Sequence, residues 1–321
     1  MNSSDENILV AIHCVTYNHE PYIRDCLEGF LMQKTNFKFV AIVHDDASTD
    51  NTADIIREYT TKYPEIIKPI YETENQYSKF DGSLDRVMEA AIAATGAKYV
   101  AMCEGDDYWI DPYKLQKQVD FLEAHEEFIL CFHKCKNLIQ QTGEITLEQV
   151  NDMPGETTIF DLAKGNYIHT PSVVYRQNAK VVAEKAQFPQ DLKADDYVYW
   201  MLLAQYGNIM KLPDEMAVYR YGVGLWSPKT LSYTVPRWCN GLFALIKYFE
   251  DIQPHVSEIL KQQMFDTMES SLKQLEASQS QLEKIQKSRP YRLGIFLLKP
   301  FYSTKRFMKK RKNDFRSTLY L

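Results

Sequence analysis

Glu104, Asp106 and Asp107 place three carboxylates within four residues, directly after the apolar run from Tyr99 to Cys103. Like charges held that close repel, and each raises the proton affinity of its neighbours. A cation, or a metal carrying a phosphate, relieves the repulsion. Oxygen donors of this kind suit Mg²⁺ or Mn²⁺, which one or two carboxylates hold while substrate phosphates complete the shell. A solvated acidic turn would have the same composition, so neighbouring segments must decide. Two further polar segments follow apolar runs. Thr16, Tyr17, Asn18, His19 and Glu20 follow residues 8–15, and Asp45, Asp46, Ser48, Thr49 and Asp50 follow residues 37–44. Neither a GxGxxG nor a GxxxxGK[ST] phosphate loop occurs. That excludes the usual dehydrogenase and P-loop readings and leaves phosphate neutralisation to a metal on the acidic cluster.

The elements that must position these residues alternate along the chain. Continuous apolar runs at 8–15, 37–44, 66–71 and 99–103 predict strands buried on both faces. Residues 22–33, 52–63, 84–94 and 114–125 show helical spacing, with Ser48 or Thr49 as the expected cap of the second helix. The alternation predicts an α/β fold, a mostly parallel Rossmann-like sheet with helices on both faces. In such sheets ligands bind beyond the carboxyl ends of the strands, where strand order reverses. All three polar loops would open there. Later strands are expected at 128–134, 172–175, 209–212 and 217–226, a less regular, partly acidic connection at 140–165, and helices at 194–207 and 235–249.

These residues carry a family resemblance. The segments 10–18, 43–52 and 104–112, followed by Lys114, Leu115 and Gln116, resemble the family 2 glycosyltransferases of the GT-A fold. The resemblance is strong over 8–135 and continuous to about Ser227. It implies an inverting enzyme using a nucleotide-diphosphate sugar, a UDP-sugar by expectation, with Mn²⁺ or Mg²⁺ as cofactor. Thr16 and Tyr17, with Asn18 and Glu20 in the same loop, match the part that holds the base, the Tyr ring lying beside the uracil. Asp46 matches the residue at the base edge. The family's Asp-x-Asp element appears as Glu104, Gly105 and Asp106. Asp106 is the expected metal ligand with Asp107 next, and Glu104 would face the ribose or the metal's outer shell. Asp196, at the start of a helix, matches the general base, with Asp195 beside it; helix capping is the other use of such residues. Arg220 would meet phosphate, Trp226 would stack on a sugar, and His169 would line the acceptor cleft. Two rivals are a sugar-nucleotidyltransferase, which would need a Gly- and Arg/Lys-rich loop near Thr16, and a non-catalytic nucleotide-sugar-binding scaffold.

The chain of 321 residues carries 37 basic and 43 acidic residues, a net of −6, which argues against a protein that coats nucleic acid as a whole. Ten of the basic residues lie between Lys287 and Lys312, a stretch with no acid; the remainder holds 27 basic and 43 acidic residues, a net of −16. The segment 289–312 also contains the apolar run from Ile295 to Leu298, and suits an anionic membrane surface. Met268, Leu275 and Leu282 are spaced by seven, so 258–286 is a candidate for homo-oligomer formation through a short coiled coil. The expected organisation is a catalytic domain at 1–230, a helical extension at 231–288 and a basic tail at 289–321. The six cysteines show no CxxC spacing, and Cys14, Cys103 and Cys131, in apolar strand-like runs, read as reduced core residues. Met1 to Asn7 is polar and acidic, unlike a signal peptide. The expected setting is the cytoplasm, at the inner face of the plasma membrane, with a glycan or lipid-linked saccharide as acceptor.

Overall fold

The computed structural model describes residues 7–147, 153–192, 195–223 and 231–287. In chain order its elements are β1 (Ile8–Thr16), α1 (Ile23–Leu31), β2 (Lys38–Asp45), α2 (Thr52–Lys62), β3 (Ile67–Tyr71), α3 (Ser83–Thr95), β4 (Tyr99–Met102), β5 (Tyr108–Trp109), α4 (Lys114–Ala124), β6 (Phe128–Ile139), β7 (Glu144–Leu147), β8 (Glu156–Thr157), α5 (Ile159–Leu162), β9 (Val174–Arg176), α6 (Ala179–Lys185), α7 (Asp195–Leu203), β10 (Asn208–Tyr221), α8 (Leu231–Ile252) and α9 (Pro254–Lys287). The chain divides into two compact units, Met1–Phe265 and Asp266–Leu321.

The strands form one sheet in the order β3-β2-β1-β4-β9-β6-β10-β5, with β7 added to β6 and β8 to β10. β1 pairs parallel with both β2 and β4. The chain therefore winds outward to β3 and then crosses back over β1 to β4. That reversal opens a crevice at the carboxyl ends of β1 and β4. β9 runs antiparallel between β4 and β6, and β10 runs parallel to β6.

Strand alternation divides the apolar side chains between two cores. Ala11, Val40, Ile42 and Val100 face one side, where they meet Met88 and Ile92 of α3 and Val198 and Met201 of α7. Val10, Ile12, Ala41, Val43 and Ala101 face the other, against Ile23, Leu27 and Phe30 of α1, Ile56 of α2 and Leu115 and Val119 of α4. Period-two side-chain direction is what makes a continuous apolar run fill both. Leu242, Leu245 and Phe249 of α8, with Val256 and Leu260 of α9, are fully buried in the first of these cores.

Three local expectations are corrected. The two predicted strands at 209–212 and 217–226 are a single strand, β10, paired with β6 through register shifts between Leu212 and Ala217. Pro213 lies in that shift, and a residue without an N–H is tolerated in a strand only at such a bulge or an edge. The connection at 140–165 is not irregular throughout, since it contains β7, β8 and α5. Ser48 and Thr49 do not cap α2. Asp50 accepts the Thr52 N–H at 3.0 Å and its hydroxyl at 2.5 Å, while Ser48 and Thr49 reach across to Asn18.

Candidate active site

The crevice is built by stitching three loops together. The Cys103 N–H donates to the His13 carbonyl at 3.1 Å and the Gly105 N–H to the Val15 carbonyl at 3.0 Å, so the loop after β4 rides on the end of β1. The Asp46 N–H donates to the Thr16 carbonyl at 2.9 Å. Asn18, at a left-handed φ of 54°, takes the Thr49 N–H on its Oδ1 at 2.7 Å and gives its own N–H to Ser48 Oγ at 2.9 Å. The Glu20 carboxylate accepts from Asn51 Nδ2 at 2.7 Å. Asn18 and Glu20 thus join the β1 and β2 loops. Tyr17 is left exposed, with its ring free to meet a flat ligand. Asp46 is buried and its two carboxylate oxygens accept the N–H groups of Gln76, at 2.6 Å, and Tyr77, at 3.1 Å.

Gly105 sits where no side chain fits. A Cβ there would come 2.7 Å from both Thr16 Cβ and Oγ1, and 3.0 Å from His19 Nδ1. Thr16 is fully buried and cannot move aside. Gly105→Ala should therefore destabilise the protein by about 1–3 kcal/mol, the usual range for overpacking. Thermal denaturation measures this, and an unchanged midpoint would refute the close approach.

Asp106 and Asp107 are buried, whereas Glu104 stands exposed at the mouth of the crevice. Burial pushes the Asp107 carboxyl well above the usual carboxylate range, and Asp106 and Glu104 push it further against the pull of the Arg220 N–H. That N–H donates to Asp107 Oδ1 at 2.8 Å. The crevice walls strip enough water from Glu104, exposed as it is, to raise its proton affinity, with repulsion from Asp106 and then Asp196 adding to the shift. Asp106 Oδ1 is buried without a hydrogen-bond partner, as is Thr16 Oγ1. A carboxylate oxygen left so, in a cluster with surplus negative charge, fits a divalent cation that phosphate oxygens complete. No group of three His, Cys, Asp or Glu among the described residues would hold a metal by itself. The donor set accordingly fits a shared site better than a closed protein cage.

Helix α7 carries Asp196 to the same crevice, 90 residues after Asp106 in the sequence, within electrostatic reach of Glu104. Burial raises the Asp196 carboxyl, and the Tyr197 N–H and His169 hold it down. That N–H donates to Asp196 Oδ1 at 2.8 Å. His169 lies against Tyr219 of β10, ring centroids 4.7 Å apart. Burial drives the Tyr219 phenol strongly upward, and Asp107, Glu104, Asp106 and Asp196 add to the shift. Asp195 opens α7. Arg220 is buried, with its guanidinium on Asp25 and between the rings of Tyr22, at 5.0 Å, and Tyr108, at 4.7 Å. Trp226 and the basic tail lie outside the described residues.

Four contributors are given no individual role by the sequence. His19 approaches Asp106, Nε2 to Oδ2 4.0 Å, and burial lowers its proton affinity although Asp106, Asp50 and Asp45 oppose this. Its place in the Thr16–Glu20 loop was the available signal. Tyr219, Asp25 and Tyr108 had none, because their roles depend on pairing between β10, α1 and β5.

Residues 12–173 match the family model described as glycosyl transferase family 2. An uncharacterized protein of Mycobacterium tuberculosis is 35% identical over 218 residues, 68% of this chain and 60% of that protein. The poly(ribitol-phosphate) beta-N-acetylglucosaminyltransferase TarS of Staphylococcus aureus is 26% identical over 212 residues, 64% of this chain and 34% of that one. The TarS 1–349 structure in complex with UDP matches with a TM-score of 0.58 at 21% identity, covering 79% of this chain and 70% of that one. Its complex with UDP-GlcNAc matches at 0.56 and 17%, covering 84% and 92%. A mannosyltransferase from Pyrobaculum calidifontis, solved with GDP-Man and Mn²⁺, matches at 0.53 and 17%, covering 90% and 83%. At these identities the structures share the fold. The match spans about 60% of the length of the mycobacterial relative.

Proposed function

Since the chain belongs to glycosyl transferase family 2, we propose that its crevice transfers a sugar from a nucleotide-diphosphate donor to an acceptor hydroxyl, with inversion at the anomeric carbon. The fold is the mixed α/β GT-A fold. The observation that carries the reading is convergence: α7 brings Asp196 within reach of the acidic loop after β4. In this reading the acidic loop after β4 serves the donor and Asp196 serves the acceptor.

In this reading Tyr17 lies along the base, and Thr16, Asn18 and Glu20 hold the loop that presents it. Asp46 meets the base edge with the lone pairs left after Gln76 and Tyr77 are served. Glu104 faces the ribose. Asp106, with Asp107 beside it, would hold Mn²⁺ or Mg²⁺, and such an ion neutralises a diphosphate leaving group. Asp196 takes the proton from the acceptor hydroxyl as its oxygen attacks the anomeric carbon, and so must stand on the side away from the nucleotide. Burial suits it to that task by raising its proton affinity. Arg220 fixes Asp107 through its N–H and would meet a phosphate, while His169 and Trp226 serve the sugars. UDP is the proposed nucleotide, on the strength of the TarS complexes. The proposed acceptor is a glycan or lipid-linked saccharide of surface polysaccharide assembly; TarS is named as a poly(ribitol-phosphate) beta-N-acetylglucosaminyltransferase.

A panel of nucleotide sugars with Mn²⁺ tests the reading, because a ligand that binds only the folded state raises the unfolding midpoint. A UDP-sugar should raise it and then release UDP when acceptor is supplied. A shift without turnover would favour the scaffold reading, and no shift with any donor would refute the proposal.

No helix among the described residues is long and apolar enough to cross a membrane. Attachment at the inner face of the plasma membrane would then rest on 289–312. Deleting residues 289–321 should abolish co-sedimentation with anionic vesicles and leave UDP binding intact. Added salt should weaken the full chain's binding, since interfacial charge pairing is screened. Equal pelleting of the two chains would remove the membrane role.

A further inference from the structure

Helix α9 carries an apolar stripe in water. Met268 is 47% exposed, Leu272 60% and Leu275 49%. Their spacing of four and then three continues to Gln279 and Leu282. This is the seam of a heptad repeat, with one polar seam position. An amphipathic helix gains most of its stability from packing its apolar face, and a second helix laid on the seam removes the stripe from solvent.

The residues beside the seam say which helix that is. On one flank Glu269, Glu276 and Glu283 recur at intervals of seven; on the other, Ser271, Ser278 and Ile285. Two antiparallel copies would set glutamates against glutamates, and like charges brought together select against that pairing. Two parallel copies set the glutamate flank of one against the uncharged flank of the other. Lys273 is already engaged along its own helix by Glu269, at 2.7 Å. The basic segment 289–312 would complement the glutamates, but its sequence carries Pro290, Gly294 and Pro300, residues disfavoured inside a helix. Leu at the 275 and 282 positions with a polar residue at 279 suits two strands, and the buried polar position fixes register.

We propose that residues 268–286 form a parallel, in-register, two-stranded coiled coil between two copies of this chain. The contact is isologous, with the same face used by both copies.

Sedimentation velocity of the full chain at micromolar concentration should show a species of two chains, each of 37.5 kDa. Leu272→Glu should return it to one chain with its helical circular dichroism retained. Leu272→Cys, oxidised by dioxygen with a copper catalyst, should join two copies. Two thiols give up two protons and two electrons to the dioxygen and form one S–S bond, because a parallel pair sets position 272 opposite itself. Gln274→Cys, off the seam, should cross-link no more than the unaltered chain. A chain ending at Lys287 should remain paired. A full chain that sediments alone overturns the proposal. So does a pair that survives Leu272→Glu, equal cross-linking at 272 and 274, or loss of pairing in the chain ending at Lys287, which would make the basic tail the contact. None of these measurements uses a substrate, so their outcome is separate from that of the proposed activity.

Discussion

Asp196→Asn should bind donor nearly as well as the parent protein and turn over about 10²–10⁴-fold more slowly, the span expected when a general base is lost. The substitution keeps the side chain's size and leaves an amide oxygen for the Tyr197 N–H that Asp196 now accepts. The fold should therefore survive, and the loss should fall on turnover. In the parent protein the base works only when ionised. Burial raises its proton affinity, so the acid limb of the rate profile should lie above the roughly 3.9 of an ordinary aspartate. The rate should fall as pH drops through that limb. Steady-state kinetics with isothermal titration of the donor separates the two effects. A variant with normal turnover would reduce Asp196 to an acidic residue of the first turn of α7.

Asp106→Asn should give effects of opposite sign with and without ligand. In the free protein Asp106 presses on Asp107 and Glu104 and raises both. Neutralising it relieves that repulsion, so the ligand-free variant should be at least as stable as the parent. Metal-dependent UDP affinity should fall by more than about tenfold, the lower bound seen when even an outer-shell partner of a metal is removed. Thermal unfolding with and without Mn²⁺ and UDP reads both. Equal UDP affinity with and without a chelator in the parent protein would show that no cation takes part.

What could be read from the chain beforehand follows from the range of the physics involved. The four parallel strands were legible because a strand buried on both faces needs an unbroken apolar run, and Val10, Ala11 and Ile12 supply one. The three polar loops were legible because each follows such a run. β10 was not, because Pro213 mimics a break and only pairing with β6 shows the strand continuing past it. β5 is two residues long and exists only through Ala217 and Val218. The placement of Arg220 was equally hidden. Its partner Asp25 lies 195 residues away, and no local pattern joins them. Tyr219 carries no motif, and it becomes a neighbour of four carboxylates only once β10 lies beside β6.

The ties between Asn18 and residues 48 and 49, and between Glu20 and Asn51, bear on the thermodynamics of recognition. They hold the two loops in one arrangement before anything arrives. A base entering beside Tyr17 then meets a surface whose backbone is already ordered, and little chain entropy remains to be lost on contact. Selectivity for the ring can come from shape that exists in advance, and more of the free energy of that contact appears as affinity.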